Sequence, residues 1–273
     1  IPVTWLSRGG YFFGRLESTR HVNVFRQEQQ VLLKGSFFYL NLAKKVIVAK
    51  AHNQLTLLRR YNRTAALPEV SAAIDEMLVL HRHIFRCSTS ERIMGYEGAI
   101  AKIYFRALGM LVPEEFAFER RSRRPPLDAF NAMLSFGYTL LMYDIYTVLH
   151  NEGLHPYFGF LHALKKGHPA LASDLMEEWR AVLVDSMVLS LVHHHEIKPE
   201  HFKRSMDDAA GGIFLTREGR AIFLRAYEKK MKTVNKYVEG KHSYRRTLSY
   251  QARQYAQALM AQNAEIYEPI SLR

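Results

Sequence analysis

The stretch AFNAMLSFGYTLLMY, residues 129–143, decides the fold class of this chain. It holds no charged residue between Asp128 and Asp144, yet it is shorter than the ~20 apolar residues that a membrane-spanning helix needs. Asn131 and Ser135 also interrupt it with polar groups. We therefore interpret it as a buried helix in the core of a soluble protein, and we expect no membrane partner.

Helical spacing of apolar residues extends outward from this stretch over most of the chain. Toward the N-terminus it predicts a long run from about residue 22 to Asn62, a helix from Pro68 to Phe85 and a helix from Glu91 to Leu108. Toward the C-terminus it predicts, besides residues 128–150, helices over 156–165, 171–195, 199–206, 217–238 and 243–263. The sequence therefore predicts a mainly α fold with one large helical domain.

The first residues follow a β pattern instead. Val3–Leu6 and Tyr11–Leu16 flank Arg8-Gly9-Gly10, which is a typical hairpin signal. Because a two-stranded hairpin is only marginally stable alone, we expect it to belong to a sheet whose other strands lie upstream of the first residue. We therefore divide the chain into residues 1–19, the last hairpin of a β-rich unit, and residues 20–273, an α-helical domain.

The composition points to a nucleic-acid partner. The 273 residues carry a formal net charge of +12. A basic excess of this size is typical of proteins that bind nucleic acids or an anionic membrane surface. Cys87 is the only cysteine, which excludes an internal disulfide and a thiolate zinc site. This cysteine usage fits a reducing compartment, so we expect a cytoplasmic protein.

Four side chains, Glu97, His162, Asp174 and Glu177, stand out because they occur inside apolar stretches. A charge there is costly unless it is paired or bound to a metal ion. Asp174 and Glu177 lie three residues apart on a predicted helix, so their carboxylates share one side and repel each other unless a cation lies between them. Magnesium and manganese bind oxygen ligands, and manganese also accepts imidazole. An acidic cluster in a basic protein therefore suggests a Mg²⁺ or Mn²⁺ ion that acts on a polyanion.

Structural explanations exist for each member of this cluster. Glu97 shares a helical face with apolar residues and could be a buried carboxylate satisfied by an arginine or by tyrosine hydroxyls. Asp174 could be a charge at the start of a helix. His162 could be a core or surface histidine, and Glu178 could extend the acidic edge. The run His193–His195 is not predicted to bind metal, because adjacent histidines point in different directions.

Basic clusters supply candidate contacts to a phosphate backbone. The predicted helix 217–238 carries an apolar stripe and a basic stripe on opposite faces. The apolar stripe is Leu224, Tyr227, Met231, Val234 and Val238, and the basic stripe is Arg225, Lys229, Lys232 and Lys236. Two further clusters are Arg120, Arg121, Arg123 and Arg124, and Lys241, Arg245, Arg246 and Arg253. A charge run is usually a solvated face, but few acids interleave the stripe, so DNA is a credible partner. Contacts of this kind position DNA without reading its sequence.

Five blocks of sequence follow one another along the chain: Gln29 with Lys50–Gln54, Gly95–Gly98, Arg123–Tyr138, Gly153–His162 and Leu171–Arg180. Taken in this order, they resemble the CRISPR-associated spacer-acquisition integrase family, that of the first-numbered Cas protein. One block alone would be weak evidence, whereas the ordered set is specific and the resemblance runs from about residue 20 to 260. The resemblance implies a homodimeric, metal-dependent DNA endonuclease and integrase. It also implies that residues 1–19 are a remnant of an N-terminal β-rich domain and that residues 20–273 are the α-helical, metal-dependent catalytic domain.

By motif, the resemblance assigns Glu97, His162 and Glu177 as ligands of a Mg²⁺ or Mn²⁺ ion. It adds Asp174 to the catalytic set as a supporting carboxylate. Glu177 stands where some relatives have aspartate, so which carboxylate is innermost stays open.

The resemblance also implies contacts to DNA. Lys165 and Arg180 lie one helical turn beyond His162 and Glu177, at positions that contact phosphates near the scissile bond in the family. For Arg180, a salt bridge to Glu177 or to Asp185 is an alternative. From the basic clusters we add Arg121, Arg124, Arg225, Lys229 and Lys232 as candidate DNA-binding residues.

The function that the resemblance implies is insertion of short DNA fragments, or spacers, into a CRISPR array by transesterification during adaptation. The implied partners are prespacer and repeat DNA, a second copy of the chain, the small ferredoxin-like second-numbered Cas protein, and a prespacer-processing nuclease, free or fused upstream. Two alternatives stay open. One is a transposon-encoded integrase of the same superfamily, which usually carries an extra C-terminal DNA-binding domain. The other is a non-catalytic DNA-binding scaffold with structural acidic residues.

Overall fold

The structure is a computed structural model that describes residues 3–7, 12–205, 211–238 and 240–272. Its α-helices are α1 (Val24–Leu32), α2 (Phe37–Ala65), α3 (Pro68–Ile84), α4 (Ser90–Met110), α5 (Ala129–Asn151), α6 (Ala170–Met176), α7 (Ser186–His193), α8 (Arg217–Lys232) and α9 (Tyr244–Ala261). Its strands pair as antiparallel hairpins: β1 (Val3–Leu6) with β2 (Phe12–Leu16), β3 (Phe202–Arg204) with β4 (Ile213–Leu215), and β5 (Val234–Tyr237) with β6 (Gly240–Ser243). The predicted mainly α fold class is confirmed.

Helix α5 begins where the sequence predicts it. Asp128 caps the helix, since its carboxylate accepts a hydrogen bond from Asn131 N at 2.7 Å. The helix packs against α6, α9 and β4, and it buries Phe130, Leu134 and Leu141 completely. Among the described helices it is the one that is long and apolar enough to cross a membrane, a test that the core helix of a soluble protein also passes. Its packing on three other elements favours the interpretation as a core helix.

The predicted helical run from residue 22 to Asn62 is two helices rather than one. Gly35 separates them with a φ of +77°, a conformation that glycine adopts without steric cost. Ser36 then caps α2, and its hydroxyl accepts a hydrogen bond from Tyr39 N. The helix α2 packs against α3, α4 and the segment 177–185, so one helix touches most of the elements that carry the predicted site.

The predicted helix over residues 171–195 is irregular in its middle. After α6 come a 3₁₀ turn, Glu177–Trp179, and a π-helical segment, Arg180–Asp185, before α7 begins. The stretch is almost wholly buried, and Trp179 is the largest of its fully buried side chains. Departures from regular α-helix are frequent at functional sites.

Two of the predicted helices do not form. Residues 156–165 form a loop. In the range 199–206, Pro199–His201 form a 3₁₀ turn and the next residues leave the helical path to pair as β3 with β4. Sequence periodicity over so few residues does not separate a helix from a strand.

The predicted helix 217–238 is too long at its C-terminus. The helix α8 ends at Lys232, and Val234–Tyr237 pairs as β5 with β6. Three members of the predicted apolar stripe, Leu224, Val234 and Val238, are exposed. The buried face of α8 is formed by Phe223, Tyr227 and Met231, which lie one helical turn apart.

The N-terminal hairpin is confirmed. Its strands pair with Val3 opposite Leu16, and the predicted turn Arg8-Gly9-Gly10 lies outside the described residues. The hairpin contacts α5, because Arg15 Nη2 donates a hydrogen bond to Thr147 Oγ1 at 2.9 Å. The division of the chain at residue 19 stays a prediction.

Candidate active site

The carboxylates of Glu97 and Glu177 meet at one cation, the ammonium group of Lys50. Lys50 lies on α2, Glu97 on α4, and Glu177 at the start of the 3₁₀ turn. The Nζ atom of Lys50 forms an ion pair with Glu97 Oε1 and lies 2.6 Å from Glu177 Oε2. Glu97 therefore has a lysine partner, in place of the arginine or tyrosine considered from the sequence.

His162 faces Glu177 from the loop between α5 and α6. Its Nδ1 lies 2.6 Å from Asp174 Oδ1, and its Nε2 lies 3.9 Å from Glu177 Oε1. Because a carboxylate only accepts hydrogen bonds, Nδ1 carries the proton in the neutral imidazole and Nε2 keeps its lone pair. Burial opposes the imidazolium, but the hydrogen bond and the negative charge of Asp174 raise the pKa of His162.

Asp174 organises the loop that carries His162. Its fully buried carboxylate accepts hydrogen bonds from Phe160 N at 2.6 Å, Leu161 N at 2.9 Å and His162 N at 2.9 Å. A helix over residues 156–165 would use these N–H groups internally. Their use by Asp174 explains why this segment is a loop, and it gives Asp174 a function beyond a charge at a helix start.

Two further residues hold this loop in place. Gly159 allows it to lie against α6, since a Cβ there would stand 2.8 Å from a backbone carbon of that helix. Gln30 of α1 donates from Nε2 to His155 O at 3.1 Å and to Phe158 O at 3.0 Å, and its Oε1 accepts from His155 N at 2.8 Å. The loop that carries His162 is therefore held by α6 on one side and by Gln30 of α1 on the other.

Arg180 completes the surroundings of Glu177. Its Nη2 lies 2.8 Å from Glu177 Oε1, and its guanidinium lies over the Tyr138 ring, 4.5 Å from the centroid. Burial alone would raise the pKa of Glu177, but the charges of Arg180, Lys50 and His162 lower it below its ordinary value. Glu177 is therefore an ionised carboxylate surrounded by cations.

Of the two salt bridges considered for Arg180, the structure contains the one to Glu177. Asp185 has other hydrogen-bond partners, since its carboxylate accepts from the Tyr104 hydroxyl at 2.7 Å and from the Tyr138 hydroxyl at 2.5 Å. Burial raises the pKa of Asp185, and these hydrogen bonds partly offset the rise. Tyr138 thus contacts both residues: its hydroxyl donates to the buried Asp185, and the face of its ring lies against the Arg180 guanidinium.

Glu178 does not extend the acidic edge, contrary to the expectation from the sequence. Its Oε2 accepts a hydrogen bond from Ile270 N at 2.7 Å, and its Oε1 is bonded to the Tyr267 hydroxyl. Burial raises the pKa of Glu178 to about 8. Adjacent helical residues point about 100° apart, so Glu178 faces the C-terminal segment while Glu177 faces Lys50.

The chemistry of the donor set fits a Mg²⁺ or Mn²⁺ ion. Glu97 and Glu177 offer carboxylate oxygens and His162 offers Nε2, which are ligand types that these cations accept. Asp174 holds the other ring nitrogen of His162, as is usual for a metal-ligating histidine. Glu177 Oε2, although close to Lys50, is buried and does not accept a well-oriented hydrogen bond.

The three predicted metal ligands are nevertheless not close enough to one another to enclose an ion. In the part of the chain that the structure describes, no three His, Cys, Asp or Glu side chains converge closely enough to hold a metal ion. The ammonium group of Lys50 stands between Glu97 and Glu177 and supplies the positive charge that a divalent cation would supply. Glu97 and Glu177 thus share a lysine as their cation, and His162 faces the other oxygen of Glu177.

A cleft of about 410 Å³ opens beside Arg180. Residues with positive or aromatic side chains dominate its walls: Arg121, Arg123, Arg124, Arg180, Arg220, His168, Tyr138 and Tyr143. Arg124 is exposed, whereas Arg121 is half-buried and donates to Asn131 Oδ1 at 2.8 Å and to Ser135 Oγ at 3.0 Å. Two of the predicted DNA-binding arginines therefore line one cleft with Arg180, and Arg121 also has a structural role.

The remaining basic candidates differ in their surroundings. Lys165 is exposed on the His162 loop, and Arg225, Lys229 and Lys232 are exposed on α8 without an ion-pair partner among the described acids. In the third basic cluster, Arg245 pairs with Asp144 and Glu228, and Arg253 pairs with Glu152. The α8 face therefore keeps its charge for an external partner, while part of the third cluster is neutralised within the chain.

The histidine run at the end of α7 has separate partners. His193 Nε2 lies 2.8 Å from Leu111 O, and His195 Nδ1 lies 3.6 Å from Glu115 Oε1. The two histidines therefore have different partners, both in the segment that follows α4.

Lys50 and Tyr138 are site residues to which sequence analysis gave no role. Both lie inside the blocks that carry the resemblance, and Lys50 interrupts the apolar run Val46–Ala51. A single lysine within such a run is a signal of the same kind as Glu97, because a buried ammonium group also needs a partner. Which carboxylates would pair with it depends on the packing of α2 against α4, which one sequence does not reveal.

Comparison with known proteins identifies the family. The model of the family described as CRISPR associated protein Cas1 matches residues 1–229. A CRISPR-associated endonuclease Cas1 from Mycobacterium tuberculosis is 37% identical over 242 residues, which cover 88% of this chain and 70% of that protein. A fusion of the exonuclease Cas4 and the endonuclease Cas1 from Geobacter sulfurreducens is 40% identical over 267 residues, which cover 93% of this chain and 46% of the fusion.

A solved structure that contains Cas1 is also similar to this chain. A chain of a partial Cas6-RT-Cas1–Cas2 complex superposes with a TM-score of 0.82 at 27% sequence identity. The match covers 100% of this chain and 82% of that chain. Because the family model covers most of the sequence and a curated relative matches over most of both lengths, the chain belongs to the Cas1 family of CRISPR-associated proteins.

Proposed function

We propose that this chain is a divalent-metal-dependent DNA integrase and endonuclease that inserts short DNA fragments into a CRISPR array by transesterification. The observation that carries the proposal is the position of Glu177, whose carboxylate shares Lys50 with Glu97 on one side and faces His162 Nε2 on the other. Membership of the Cas1 family, whose curated relatives are named endonucleases, supports a phosphodiester as the reacting group.

In the proposed reaction, the 3′-hydroxyl oxygen of the fragment attacks the phosphorus of a phosphodiester in the repeat. The new P–O bond forms as the bond to the leaving 3′-oxygen breaks. The attacking hydroxyl loses its proton and the leaving oxygen gains one, so the number of phosphodiesters does not change. A Mg²⁺ or Mn²⁺ ion held by Glu97, His162 and Glu177 would activate the attacking oxygen and neutralise charge on the phosphate.

The residues around these ligands orient them. Asp174 fixes the His162 ring through Nδ1, so that Nε2 stays directed at Glu177. Arg180 holds Glu177 Oε1 and lies on the Tyr138 ring, which restricts the guanidinium to one plane. Because Arg180 also lines the arginine-rich cleft, we propose that it contacts a DNA phosphate at the edge of the site.

The exposed basic residues attract and position the DNA in this proposal. Lys165 is exposed on the loop that carries His162, Arg124 lines the cleft beside Arg180, and Arg225, Lys229 and Lys232 are exposed on α8. Such contacts bind phosphates irrespective of sequence, and they weaken as salt concentration rises because bound counterions are released.

The partners that we propose are a second copy of this chain, a Cas2 protein and a prespacer-processing nuclease. The solved complex that contains Cas1 and Cas2 supports the second partner. The Cas4–Cas1 fusion supports the third. The homodimer follows from the family resemblance alone.

Strand transfer in vitro tests the proposal. A duplex with free 3′-hydroxyl ends is incubated with a plasmid that carries a CRISPR repeat, a Cas2 partner and MnCl₂ or MgCl₂. We expect joined products with the unaltered chain and none after Glu97→Ala or Glu97→Gln, while DNA binding persists because the basic surfaces remain. Glu91→Gln is the matched control, because Glu91 is exposed on the same helix.

Each outcome has a defined meaning. Joining by both Glu97 variants at the rate of the unaltered chain would refute the site. Equal activity with and without a divalent cation in chelated buffer would refute metal dependence and favour a different chemistry. DNA binding without joining under all conditions would favour the scaffold alternative. Terminal inverted repeats beside the gene, instead of a repeat array, would favour a transposon-encoded integrase.

A further inference from the structure

We propose that Lys50 is a built-in competitor of the divalent cation, and that DNA relieves this competition by giving the Lys50 ammonium group a phosphate as its new partner. The inference rests on the proposed metal site and adds a regulatory property to it. Metal ion and DNA would then bind with positive coupling, and the lysine would keep the metal site weak until a substrate is present.

The first support is the burial of Lys50. The residue is 6% exposed and lies near the middle of α2, a helix that packs against α3, α4 and the segment 177–185. A buried ammonium group is unfavourable unless charged acceptors satisfy it. Lys50 meets this requirement through Glu97 and Glu177. The lysine and both carboxylates therefore form one buried group of charges.

The second support is that the lysine and a metal ion need the same oxygen atoms. Lys50 Nζ contacts Glu97 Oε1 and lies 2.6 Å from Glu177 Oε2. The other oxygen of Glu177 is already bonded to Arg180 at 2.8 Å. A divalent cation coordinated by both carboxylates would lie within a few ångströms of the ammonium group, and like charges at that distance repel. The two cations therefore exclude each other.

The third support concerns where the lysine goes. Asp174, the carboxylate that holds His162, is occupied, because its two oxygens already accept bonds from three backbone N–H groups and from His162. Arg180 lines the adjacent cleft and adds positive charge. An ammonium group on a flexible four-carbon stem would therefore turn toward a phosphate of bound DNA. By linkage, DNA then raises metal affinity and metal raises DNA affinity by the same factor.

Manganese titration with and without DNA tests this inference without measuring activity. Free Mn²⁺ is followed by its electron paramagnetic resonance signal in the presence of the unaltered chain, Lys50→Met or Lys44→Met. For the unaltered chain, we expect a blunt 30-base-pair duplex to tighten Mn²⁺ binding about tenfold. For Lys50→Met, Mn²⁺ should bind about tenfold more tightly without DNA, and DNA should add little. Lys44, on the same helix, pairs with neither carboxylate and should behave as the unaltered chain does.

Thermal melting supplies a second readout that stays informative if Lys50→Met is unstable. Loss of the ammonium group leaves two carboxylates facing each other, so the Tm without metal should fall, and Mn²⁺ should raise it by more than it raises the Tm of the unaltered chain. Lys50→Gln should show the same pattern with a smaller change in packing. An equal Mn²⁺-induced shift in all three proteins would overturn the inference.

The failure of this inference and the failure of the metal site are distinguishable. If Glu177→Gln abolishes Mn²⁺ binding but Lys50→Met leaves the affinity and the DNA effect unchanged, Lys50 is not a competitor and the metal site stands. If Glu177→Gln and Glu97→Gln both bind Mn²⁺ as the unaltered chain does, the metal site itself is wrong and the role of Lys50 is overturned with it.

Discussion

Replacement of Asp174 by asparagine tests the geometry of the site most directly. The carboxylate accepts hydrogen bonds from three consecutive N–H groups, those of residues 160–162, and from His162 Nδ1. An asparagine of the same shape has one accepting oxygen and one NH₂ group. Whichever way it turns, its NH₂ group faces at least one N–H group that now lacks an acceptor.

The expected loss of stability follows from these bonds. A buried N–H group without an acceptor costs about 1–3 kcal/mol, and a hydrogen bond to a charged acceptor is about 1 kcal/mol stronger than one to a neutral acceptor. With one donor unsatisfied and the remaining bonds no longer charged, the free energy of unfolding should fall by about 3–5 kcal/mol. This is a large part of the roughly 5–15 kcal/mol that stabilises a typical domain.

The variant should also reverse the tautomer of His162. The asparagine orientation that keeps most bonds directs its NH₂ group at Nδ1, which then accepts, so that the proton of the neutral ring moves to Nε2. Nε2 would lose the lone pair that faces Glu177. Asp174→Asn should therefore lose metal binding even under conditions in which it remains folded.

Urea denaturation measures the fall in the free energy of unfolding, and hydrogen exchange of the amides of residues 160–162 shows whether the fall arises from their lost hydrogen bonds. Nitrogen NMR of the imidazole at a pH above its pKa identifies the tautomer. A change of less than about 1 kcal/mol in the free energy of unfolding, with unchanged exchange of these amides, would refute the reasoning, because it would mean that these bonds do not hold the loop.

Three further predictions follow from particular contacts. Gly159→Ala should lower the free energy of unfolding by about 1–3 kcal/mol, because the new methyl group overlaps α6. Gly98→Ala, in open space on α4, should raise the free energy of unfolding by up to about 1 kcal/mol. Equal urea midpoints for the two variants would contradict this expectation. Burial raises the pKa of Asp185 in the folded state above the value of the unfolded carboxyl, which is near 4. Between these two pKa values the folded state binds more protons than the unfolded state. The contribution of Asp185 to stability is therefore lost as the pH rises through the folded-state pKa. Asp185→Asn should flatten this decline by up to about 1.4 kcal/mol per pH unit in pH-dependent melting, and a steeper decline would oppose the assignment. Lys229→Ala should reduce the slope of log affinity for DNA against log salt by about 0.9, while Arg253→Ala, which removes an internally paired charge, should change it less.

The predicted helices that formed differ from those that did not in their length and in the signals at their ends. The predicted helices that formed, such as α3, α4 and α5, are long, have several turns of apolar spacing and start at a proline or a capping side chain. The segment 156–165 fails because a distant carboxylate, that of Asp174, takes its N–H groups. The β3–β4 and β5–β6 hairpins were missed because a strand of three or four residues has no periodicity that distinguishes it from a helix end.

The sequence by itself determined the helical class of this chain, its basic character and the identity of the acidic and imidazole residues that belong together. These properties are readable because apolar spacing reflects local helix geometry, and because a charge inside an apolar stretch must have a partner wherever the chain folds. Only the tertiary structure decided which partner each charge has. It set Lys50 between Glu97 and Glu177, turned Glu178 away toward the C-terminal segment and joined Asp174 to the His162 loop. These pairings depend on how separate helices pack against one another, and that packing is determined by the whole core at once.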